Sequence, residues 1–366
     1  MFVNLSRRET CGSASAVALK HRRSFYPYLG HGHLDLVMAS PFPKSSSAPG
    51  EGLLVVQLLP HDISGLATIT YQYPLKLISP SPAASQKSVL VFLLTYGGGL
   101  VGGDQVHLQI KVQPKAKLSI VTQGHTKIFK SASRDIVTRQ KLDVVVEAGA
   151  ALCLIPDPVQ PFERSVYEQS QIFTLAKDSS VCLLDWVSNG RSARGEDWNC
   201  DVWSGRNEIW TEGEFGTKGR LVLRDNIILD GDMSSENSMK LNKKMHGMGL
   251  FGTLILKGPL VEPLAAFFLA EFAALPRIGA RDFRTDEAVE EDDKLELSTQ
   301  AVWRAQRLRQ EKADAILWSA AKVRGCTVVK FGAQTVEGGR IWIGSMIREE
   351  ASIERVFGDD ALMCVR

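Results

Sequence analysis

The chain has 366 residues, of which 44% are apolar, and a formal net charge of +2, so it can bury a substantial core. The balanced charge argues against a nucleic-acid-binding protein, which normally carries a basic face, and the sequence has no apolar run of the length that spans a membrane. Six cysteines without a C-x-x-C pair argue against structural zinc or a disulfide framework, and predict buried, reduced thiols in a cytoplasmic protein.

Residues 1–51 are expected to be a basic leader followed by a Pro/Ser segment. Basic residues outnumber acidic ones before Met38, and Met38 begins the stretch MASPFPKSSSAPGEG. This stretch is typical of a translation start followed by a flexible linker. We interpret the leader as disordered or as an extension upstream of the true start; a transit peptide is the alternative.

From residue 52 to about residue 256 the sequence predicts strands almost throughout. Short segments rich in β-branched residues alternate with Gly, Pro and Ser turns. Three of them, PKAKLSIVTQ, AGAALCLIPD and DSSVCLLDW, share one pattern, with Leu118, Leu152 and Cys182 in equivalent places and a fourth copy around Leu221. This repeat predicts a mainly β fold of stacked strands, as in a β-helix or a many-stranded sandwich.

Helical patterns are confined to the last third of the chain. They predict helices near 261–275, 299–324 and 347–357, with an acidic insertion near 281–298 that is expected to be a solvated loop. Between the last two helices, CTVVKFG and RIWIGSM have the composition of strands. The sequence therefore predicts one β-rich domain over residues 52–366.

The stretch GGGLVGGD, residues 97–104, contains a G-x-G-x-x-G spacing. A dinucleotide site needs a helix after the glycines, but residues 104–112 alternate polar and apolar side chains as a strand does. Asp104 would also repel a phosphate. We therefore predict a hairpin-like structural turn, in which Gly98, Gly99, Gly102 and Gly103 supply special backbone conformations or close contacts.

Three polar segments follow directly after the three repeated strands. They are TQGHTKIFKS, PDPVQPFERS and SNGRSARGEDW; if the strands stack, these segments also stack, and we call residues 122–131, 156–165 and 188–198 the polar edge. Function is expected here because loops on a rigid scaffold commonly carry it. The candidates for partner contacts or for the lining of a passage are Asp104, Thr122, Gln123, Thr126, Lys127, Asp157, Arg191 and Glu196.

Each candidate also has a purely structural explanation. Thr122 and its neighbours suit strand-end capping, Asp157 lies between two prolines that restrict it to a turn, and Arg191 can form an ion pair with Glu196. His125 is expected to be a surface residue. Asp157 and Glu196 would be weak oxygen ligands for a divalent ion in transit, whereas a fixed site would require His or Cys ligands.

The sequence contains no Ser-His-Asp, Cys-His or H-E-x-x-H arrangement that indicates catalysis. Two alternatives remain from the residues alone: a purely structural scaffold, which would tolerate the loss of Asp157 and Glu196, and a cytosolic β-solenoid that binds or cleaves carbohydrate. Such a protein would carry aromatic residues at regular spacing along one groove, and the seven tryptophans show no such repeat.

The four motifs GGGLVGGD, TQGHTKIFKS, PDPVQPF and NGRSARGEDW, in this order, resemble the urease accessory protein D family (UreD, called UreH in some bacteria) over about residues 53–260. The leader and the acidic insertion lie outside the pattern and indicate a eukaryotic, fungal member. The resemblance implies an all-β helical stack with two helices, and a non-enzymatic chaperone. That chaperone binds apo-urease, recruits accessory protein F and the GTPase accessory protein G, and has no stably bound cofactor, with nickel in transit through the assembly.

Overall fold

Two large β-sheets and a layer of helices form the part of the chain that this computed structural model describes, residues 48–82, 86–231, 239–275 and 299–366. The predicted leader up to residue 47 and the acidic insertion lie outside these residues. The strands are β1 (Glu51–Leu59), β2 (Ile63–Tyr71), β3 (Leu75–Ile78), β4 (Val89–Thr95), β5 (Gly99–Leu100), β6 (Gln105–Val112), β7 (Lys117–Val121), β8 (Thr126–Ile128), β9 (Thr138–Val146), β10 (Ala151–Leu154), β11 (Val159–Pro161), β12 (Val166–Leu175), β13 (Ser180–Ser188), β14 (Val202–Glu212), β15 (Lys218–Asp230), β16 (Leu250–Lys257), β17 (Leu317–Val323) and β18 (Cys326–Ala333). The helices are α1 (Leu241–Lys244), α2 (Glu262–Ala273), α3 (Thr299–Ala313), α4 (Val336–Glu350) and α5 (Ser352–Phe357).

The central strands wind as the coils of a β-helix. Each coil runs from a strand of one sheet, through a short strand, to a strand of the other sheet: β4–β5–β6, β7–β8–β9 and β10–β11–β12, with β13 and β14 forming the last turn. Neighbouring coils pair in parallel in both sheets and along the short strands. The prediction of a mainly β, stacked-strand body is confirmed.

Antiparallel strands complete each sheet. The first sheet has the order β15-β14-β12-β9-β6-β1-β2, and the main path of the second is β17-β18-β16-β13-β10-β7-β4-β3. Strand β15 pairs antiparallel with β14, so the segment around Leu221 is not a fourth copy of the repeat, and that prediction is wrong. The additional coil lies before the three predicted ones, because Val89 of β4 pairs with Leu118.

The register of the repeat differs by one residue from the predicted alignment at its last copy. Leu118 pairs with Leu152 as expected, but Leu152 pairs with Val181, and Cys182 pairs with Cys153. A one-residue slip reverses the face of every side chain in a strand. Accordingly, Leu152 and Val181 point between the two sheets, whereas Cys153 and Cys182 point toward the helices.

Two apolar cores share the second sheet. The first lies between the sheets and contains Leu108, Leu142 and Phe173 of the first sheet against Leu118 and Leu183 of the second. The other lies between the second sheet and the helices, and is built from Cys153, Trp186 and Phe331 of the sheet with α2, α4 and α5. The central strands β10 and β13 are therefore buried on both faces.

The predicted helix over 299–324 is only half correct. Helix α3 ends at Ala313, Ala315 adopts a left-handed φ of 50°, and Leu317–Val323 forms strand β17, paired antiparallel with β18. The alanines of this segment favour a helix in isolation. The sheet edge prevails because Ala320 becomes buried against the core shared with α2 and α4, and Trp318 packs against the same core.

The segment RIWIGSM, predicted as a strand, belongs to helix α4. Thr335 caps this helix, because its side chain accepts a hydrogen bond from the Gly338 N–H at 3.0 Å. Trp342, Ile343, Met346 and Ile347 form its buried face at helical spacing. The predicted helix at 347–357 is consequently the end of α4 plus α5, separated by Ala351 with a left-handed φ of 65°. At 261–275 the structure has α2, and CTVVKFG lies in β18.

The glycine stretch is a corner of the β-helix, not a hairpin. It leads from β4 in the second sheet through β5 to β6 in the first sheet. Gly103 has a φ of 94°, and a Cβ on Gly99 would lie 2.7 Å from the Lys127 carbonyl oxygen. The glycines therefore permit tight stacking on the next coil. Among the residues that the structure describes, none of the helices has both the length and the apolar composition of a membrane-spanning segment.

Candidate functional site at the polar edge

The three segments of the polar edge lie side by side, as the repeat predicted. Thr126 of β8 pairs with Val159 of β11, and Val159 also pairs with Val187. The Gln160 side chain donates a hydrogen bond to the Gly190 carbonyl at 3.0 Å. The corners of successive coils therefore bring residues that are about 30 positions apart in the sequence into one surface.

Asp157 is a buried carboxylate held by an arginine. Its Oδ1 accepts a hydrogen bond from Arg340 Nη2 at 2.9 Å, and its Oδ2 accepts from Thr122 Oγ1 at 3.1 Å and from the Gly124 N–H at 2.9 Å. Asp157 is only 5% exposed. The side chain thus fixes the stacked corner and connects it to helix α4, which carries Arg340.

His125 and Cys364 flank this ion pair. Burial lowers the pKa of His125, and the Arg340 and Lys127 charges lower it further against the opposing effect of Asp157. The ring is partly buried with Nε2 lacking a hydrogen-bond partner among the described residues, so His125 is not the surface residue that was expected. Burial, with Asp157 nearby, raises the pKa of the Cys364 thiol to about 12, which keeps it protonated and unreactive.

Arg191 and Glu196 form a second carboxylate–arginine pair in the next corner. The Glu196 carboxylate accepts from Arg191 Nε at 2.8 Å and from the Arg191 N–H at 2.9 Å, and also contacts Arg191 Nη2. Burial alone would raise the pKa of Glu196, but the bonds from Arg191 hold it below its usual value. The guanidinium lies 4.0 Å from the Phe162 ring centroid. This pair orders the loop, as its structural explanation predicted.

The remaining candidates are less closely associated. Gln123 and Lys127 are exposed, and Thr126 is half-buried beside the interior. Asp104 is separate from the others: its Oδ2 accepts a hydrogen bond from the Val101 N–H at 2.9 Å and closes the glycine turn. The structure therefore brings Thr122 to Asp157 and Arg191 to Glu196, and gives Asp104 a turn-closing role.

A buried polar layer between the two sheets was not predicted. Asp185 of β13 accepts hydrogen bonds from Gln169 Nε2 at 2.8 Å and from Asn207 Nδ2 at 2.6 Å. Burial raises the pKa of Asp185 above its ordinary value in spite of these two bonds. Tyr167 donates to Gln169 Oε1 at 3.1 Å and extends the layer. An interior that would otherwise be apolar thus contains a connected set of polar groups.

This layer reaches the polar edge. A cavity of about 20 Å³ is bordered by Thr122, Thr126 and Asp157 on one side and by Gln169 and Asp185 on the other. That volume accommodates about one water molecule. The cavity therefore connects the two sets of polar side chains, but in this conformation it has no room for a hydrated metal ion.

Two signals in the sequence could have revealed the interior residues. Asp185 is the one acidic residue inside the apolar strand SVCLLDWVS, and Gln169 and Gln171 occupy alternate positions of β12 with the same inward direction as Phe173. Arg340 could not have been found in this way, since its contact with Asp157 spans 183 residues. Within the described ranges, no three His, Cys, Asp or Glu side chains form a group that could hold a metal ion.

Comparison with known proteins identifies the family. The family model for the UreD urease accessory protein matches residues 50–362. The chain belongs to the UreD family of urease accessory proteins. A urease accessory protein ureD-like protein of the fission yeast Schizosaccharomyces pombe is 31% identical, with 77% of this chain and 88% of the relative aligned.

Other relatives come from fungi and plants. Urease accessory protein 4 of Cryptococcus neoformans is 32% identical over 53% of this chain and 66% of the relative. Urease accessory protein D of Arabidopsis thaliana is 35% identical over 42% of this chain and 53% of the relative. These names support a role in urease maturation and not in catalysis.

The carbohydrate-binding alternative required tryptophans along an accessible groove. Trp186 and Trp203 are each 1% exposed and Trp342 is fully buried. Trp318, Trp342 and Phe331 form an aromatic cluster with ring centroids 5.2–5.4 Å apart. Trp186, Trp203 and Trp342 therefore pack the cores and are not available to stack on a sugar.

Proposed function

We propose that this UreD-family protein is a chaperone that binds apo-urease and recruits accessory protein F and the GTPase accessory protein G. In this proposal nickel is delivered to the urease active site within that assembly, and the chain has no stably bound cofactor. The observation that carries the proposal is the polar edge, in which three of the four ordered motifs of the family meet on one surface of a rigid β-helix. A rigid scaffold with polar corner loops is suited to partner recognition.

The polar edge also supports a role in passing nickel. Asp157 and Glu196 are buried carboxylates, 5% and 7% exposed, and carboxylate oxygens bind divalent ions without the strength of a His or Cys site. Weak ligands suit transfer better than storage. The cavity beyond Asp157 continues toward polar side chains between the sheets.

Both carboxylates are held by arginines in this conformation. A metal ion at either position would have to replace an arginine, because two cations cannot share one carboxylate at close range without a large cost. Nickel passage would therefore require Arg340 or Arg191 to move. A partner that docks on the polar edge would cause this movement. The exposed Gln123 and Lys127 are the contacts we assign to that partner.

Substitution of the two carboxylates tests this proposal. The chain is co-expressed with urease apoprotein and accessory proteins F and G, and co-purification and nickel-dependent urease activity are measured. The wild-type chain is expected to co-purify and to restore activity. The Asp157→Ala and Glu196→Ala variants are expected to assemble normally but to lower urease activation by about tenfold or more, the usual effect of losing a group that supports a metal path.

The exposed neighbour Asp197 provides a matched control, since Asp197→Ala removes a carboxylate next to Glu196 without breaking the Arg191 pair. Its activation is expected to equal that of the wild type. Normal activation by both test variants would refute the nickel path but leave the chaperone role intact. Absence of co-purification by the wild-type chain would refute the chaperone role itself.

A further inference from the structure

Three buried oxygen atoms on β14, β15 and β16, at one end of the two sheets, lack a hydrogen-bond partner among the described residues. They are Asn207 Oδ1, Asp225 Oδ2 and Thr253 Oγ1. Asn207 is 1% exposed and Thr253 is fully buried. A buried polar atom without a partner is costly, so each such group calls for an explanation.

Strand register places the residues that carry these atoms in two paired rows, one in each sheet. In the second sheet Asp185 pairs with Thr253, and Thr253 pairs with Lys330. In the first sheet Asn207 pairs with Asp225. Two hydrogen bonds join the rows across the interior, from Asn207 Nδ2 to Asp185 Oδ2 and from Lys330 Nζ to Asp225 Oδ1, each 2.6 Å long.

The resulting group consists of two carboxylates, one amide oxygen and one hydroxyl oxygen. Oxygen donors of these types are the usual protein ligands of hard and borderline divalent cations. A cation already lies at one of them, since the Lys330 ammonium contacts Asp225. The Lys330 side chain is 39% exposed, so it can withdraw to solvent without leaving the ammonium buried.

From this arrangement we propose that Asp185, Asn207, Asp225 and Thr253 form a binding site for a divalent metal cation, and that Lys330 competes with the metal for Asp225. The two unpartnered neutral oxygens, Asn207 Oδ1 and Thr253 Oγ1, become ligands when the metal binds. The arrangement contains only two carboxylates, and its other donors are an amide and a hydroxyl.

A surface groove borders this site at Lys330. A groove of about 460 Å³ is lined by Met245, Met248, Phe251 and Lys330. The Lys330 ammonium lies 5.8 Å from the Phe251 ring centroid, at the boundary between groove and interior. Displacement of Lys330 would therefore open the site to the groove. If nickel passes through the body, this site is a stopping point on its path. That role in nickel passage rests on the proposed function, whereas metal binding itself does not.

Equilibrium dialysis of the purified full-length chain against Ni²⁺ alone, and separately against Mg²⁺, tests the site. Asp225→Asn removes one carboxylate charge and defines the binding due to other groups in the chain. Thr253→Val removes only the buried hydroxyl and is expected to weaken the Asp225-dependent binding by about tenfold or more. Lys330→Met removes the competing ammonium and is expected to strengthen Ni²⁺ binding by about tenfold. This is the size of change in metal affinity that a supporting group usually causes.

Lys322→Met is the matched control, because Lys322 lies on the neighbouring strand and pairs with Glu262 at the surface. It is expected to bind Ni²⁺ like the wild type. Equal binding by the wild-type, Asp225→Asn and Lys330→Met chains would overturn the proposal and assign the unpartnered oxygens to ordered water. Because Lys330→Met predicts a gain of affinity, a folding defect in Thr253→Val cannot imitate the expected result. Neither outcome bears on whether the wild-type chain co-purifies with urease, so a failure of the metal site can be distinguished from a failure of the proposed function.

Discussion

At the scale of single residues, buried carboxylates paired with arginines recur in this protein. Asp157 with Arg340 and Glu196 with Arg191 fix the polar edge, and a third set joins the helices, where Glu271 of α2 contacts Arg304 and Arg307 of α3. A buried carboxylate needs such a partner, since an unpaired charge in the interior is strongly unfavourable. The Asp157 and Glu271 pairs thereby join segments that are distant in the sequence, whereas the Glu196 pair closes a single loop.

The Glu271 set has a measurable pH dependence. Hydrogen bonds from Arg304, with the Arg307 charge, hold the pKa of Glu271 below its usual value in spite of burial. The carboxylate therefore stabilises the fold above its unfolded pKa of about 4.3, and this contribution is lost as the pH falls through the lower, folded pKa. Glu271→Gln is expected to reduce the free energy of unfolding at pH 7 by about 3 kcal/mol, and by less as the pH approaches 3.

Urea unfolding at pH 7 and at lower pH values measures this difference. Glu262 on the same helix is the control, because its side chain is 51% exposed and pairs with Lys322 at the surface. Glu262→Gln is expected to cost at most about 1 kcal/mol. A loss in Glu271→Gln that does not change with pH would show that the carboxylate acts through packing and not through its charge.

At the scale of elements, helix α4 supports the polar edge from behind. It carries Arg340, which holds Asp157, and it packs closely on the C-terminal turn formed by Asp359–Val365. A Cβ on Gly344 would lie 1.8 Å from the Val365 carbonyl oxygen. Cys364 in that turn donates a hydrogen bond to the Thr122 carbonyl at 3.4 Å. In this position the turn covers Thr122 and Asp157.

Gly344→Ala is expected to displace this C-terminal turn, because the added methyl group overlaps a backbone atom that cannot move alone. Cys364 should then become reactive, since it is 3% exposed in the wild type. Alkylation with iodoacetamide followed by peptide mass spectrometry measures its reactivity. Ser345→Ala, on the same helix at a half-buried position, is expected to leave Cys364 protected. Protection of Cys364 in Gly344→Ala would mean that the helix, and not the turn, has moved.

At the scale of the whole described structure, the second sheet couples the two apolar cores. Strands β10 and β13 supply side chains to both, as shown by Leu152 on one face and Cys153 on the other. Loss of either core would expose one face of the same strands. The β-helix and the helical layer are therefore expected to unfold together.

Equilibrium urea unfolding of the full-length chain tests this coupling. Tryptophan fluorescence reports on the core beneath the helices, where Trp318 and Trp342 lie, and on the core between the sheets, where Trp198 and Trp203 lie. Far-ultraviolet circular dichroism reports on the strands. The two probes are expected to give the same transition midpoint. A helical layer that unfolds at a lower urea concentration than the strands would show that the second sheet does not couple the cores.

The family, the mainly β character and the stacking of the polar edge could all be predicted from the amino-acid sequence. These depend on local signals, namely short apolar strands with turns between them and a repeat whose copies must lie side by side to bury their apolar faces. The polar segments follow the strands directly, so their juxtaposition follows from the repeat. Even the register was correct between Leu118 and Leu152.

The long-range partners of the buried polar residues, by contrast, follow from the tertiary structure and not from the sequence pattern. The partner of Asp157 comes from a helix 183 residues away, and the identities of β17 and α4 depend on a shared aromatic core that outweighs local propensity. The interior layer around Asp185 likewise needs two sheets to face each other, and its hydrogen bonds join residues 16 and 22 positions apart. Such contacts are set by packing in three dimensions, and a local sequence pattern carries no record of them.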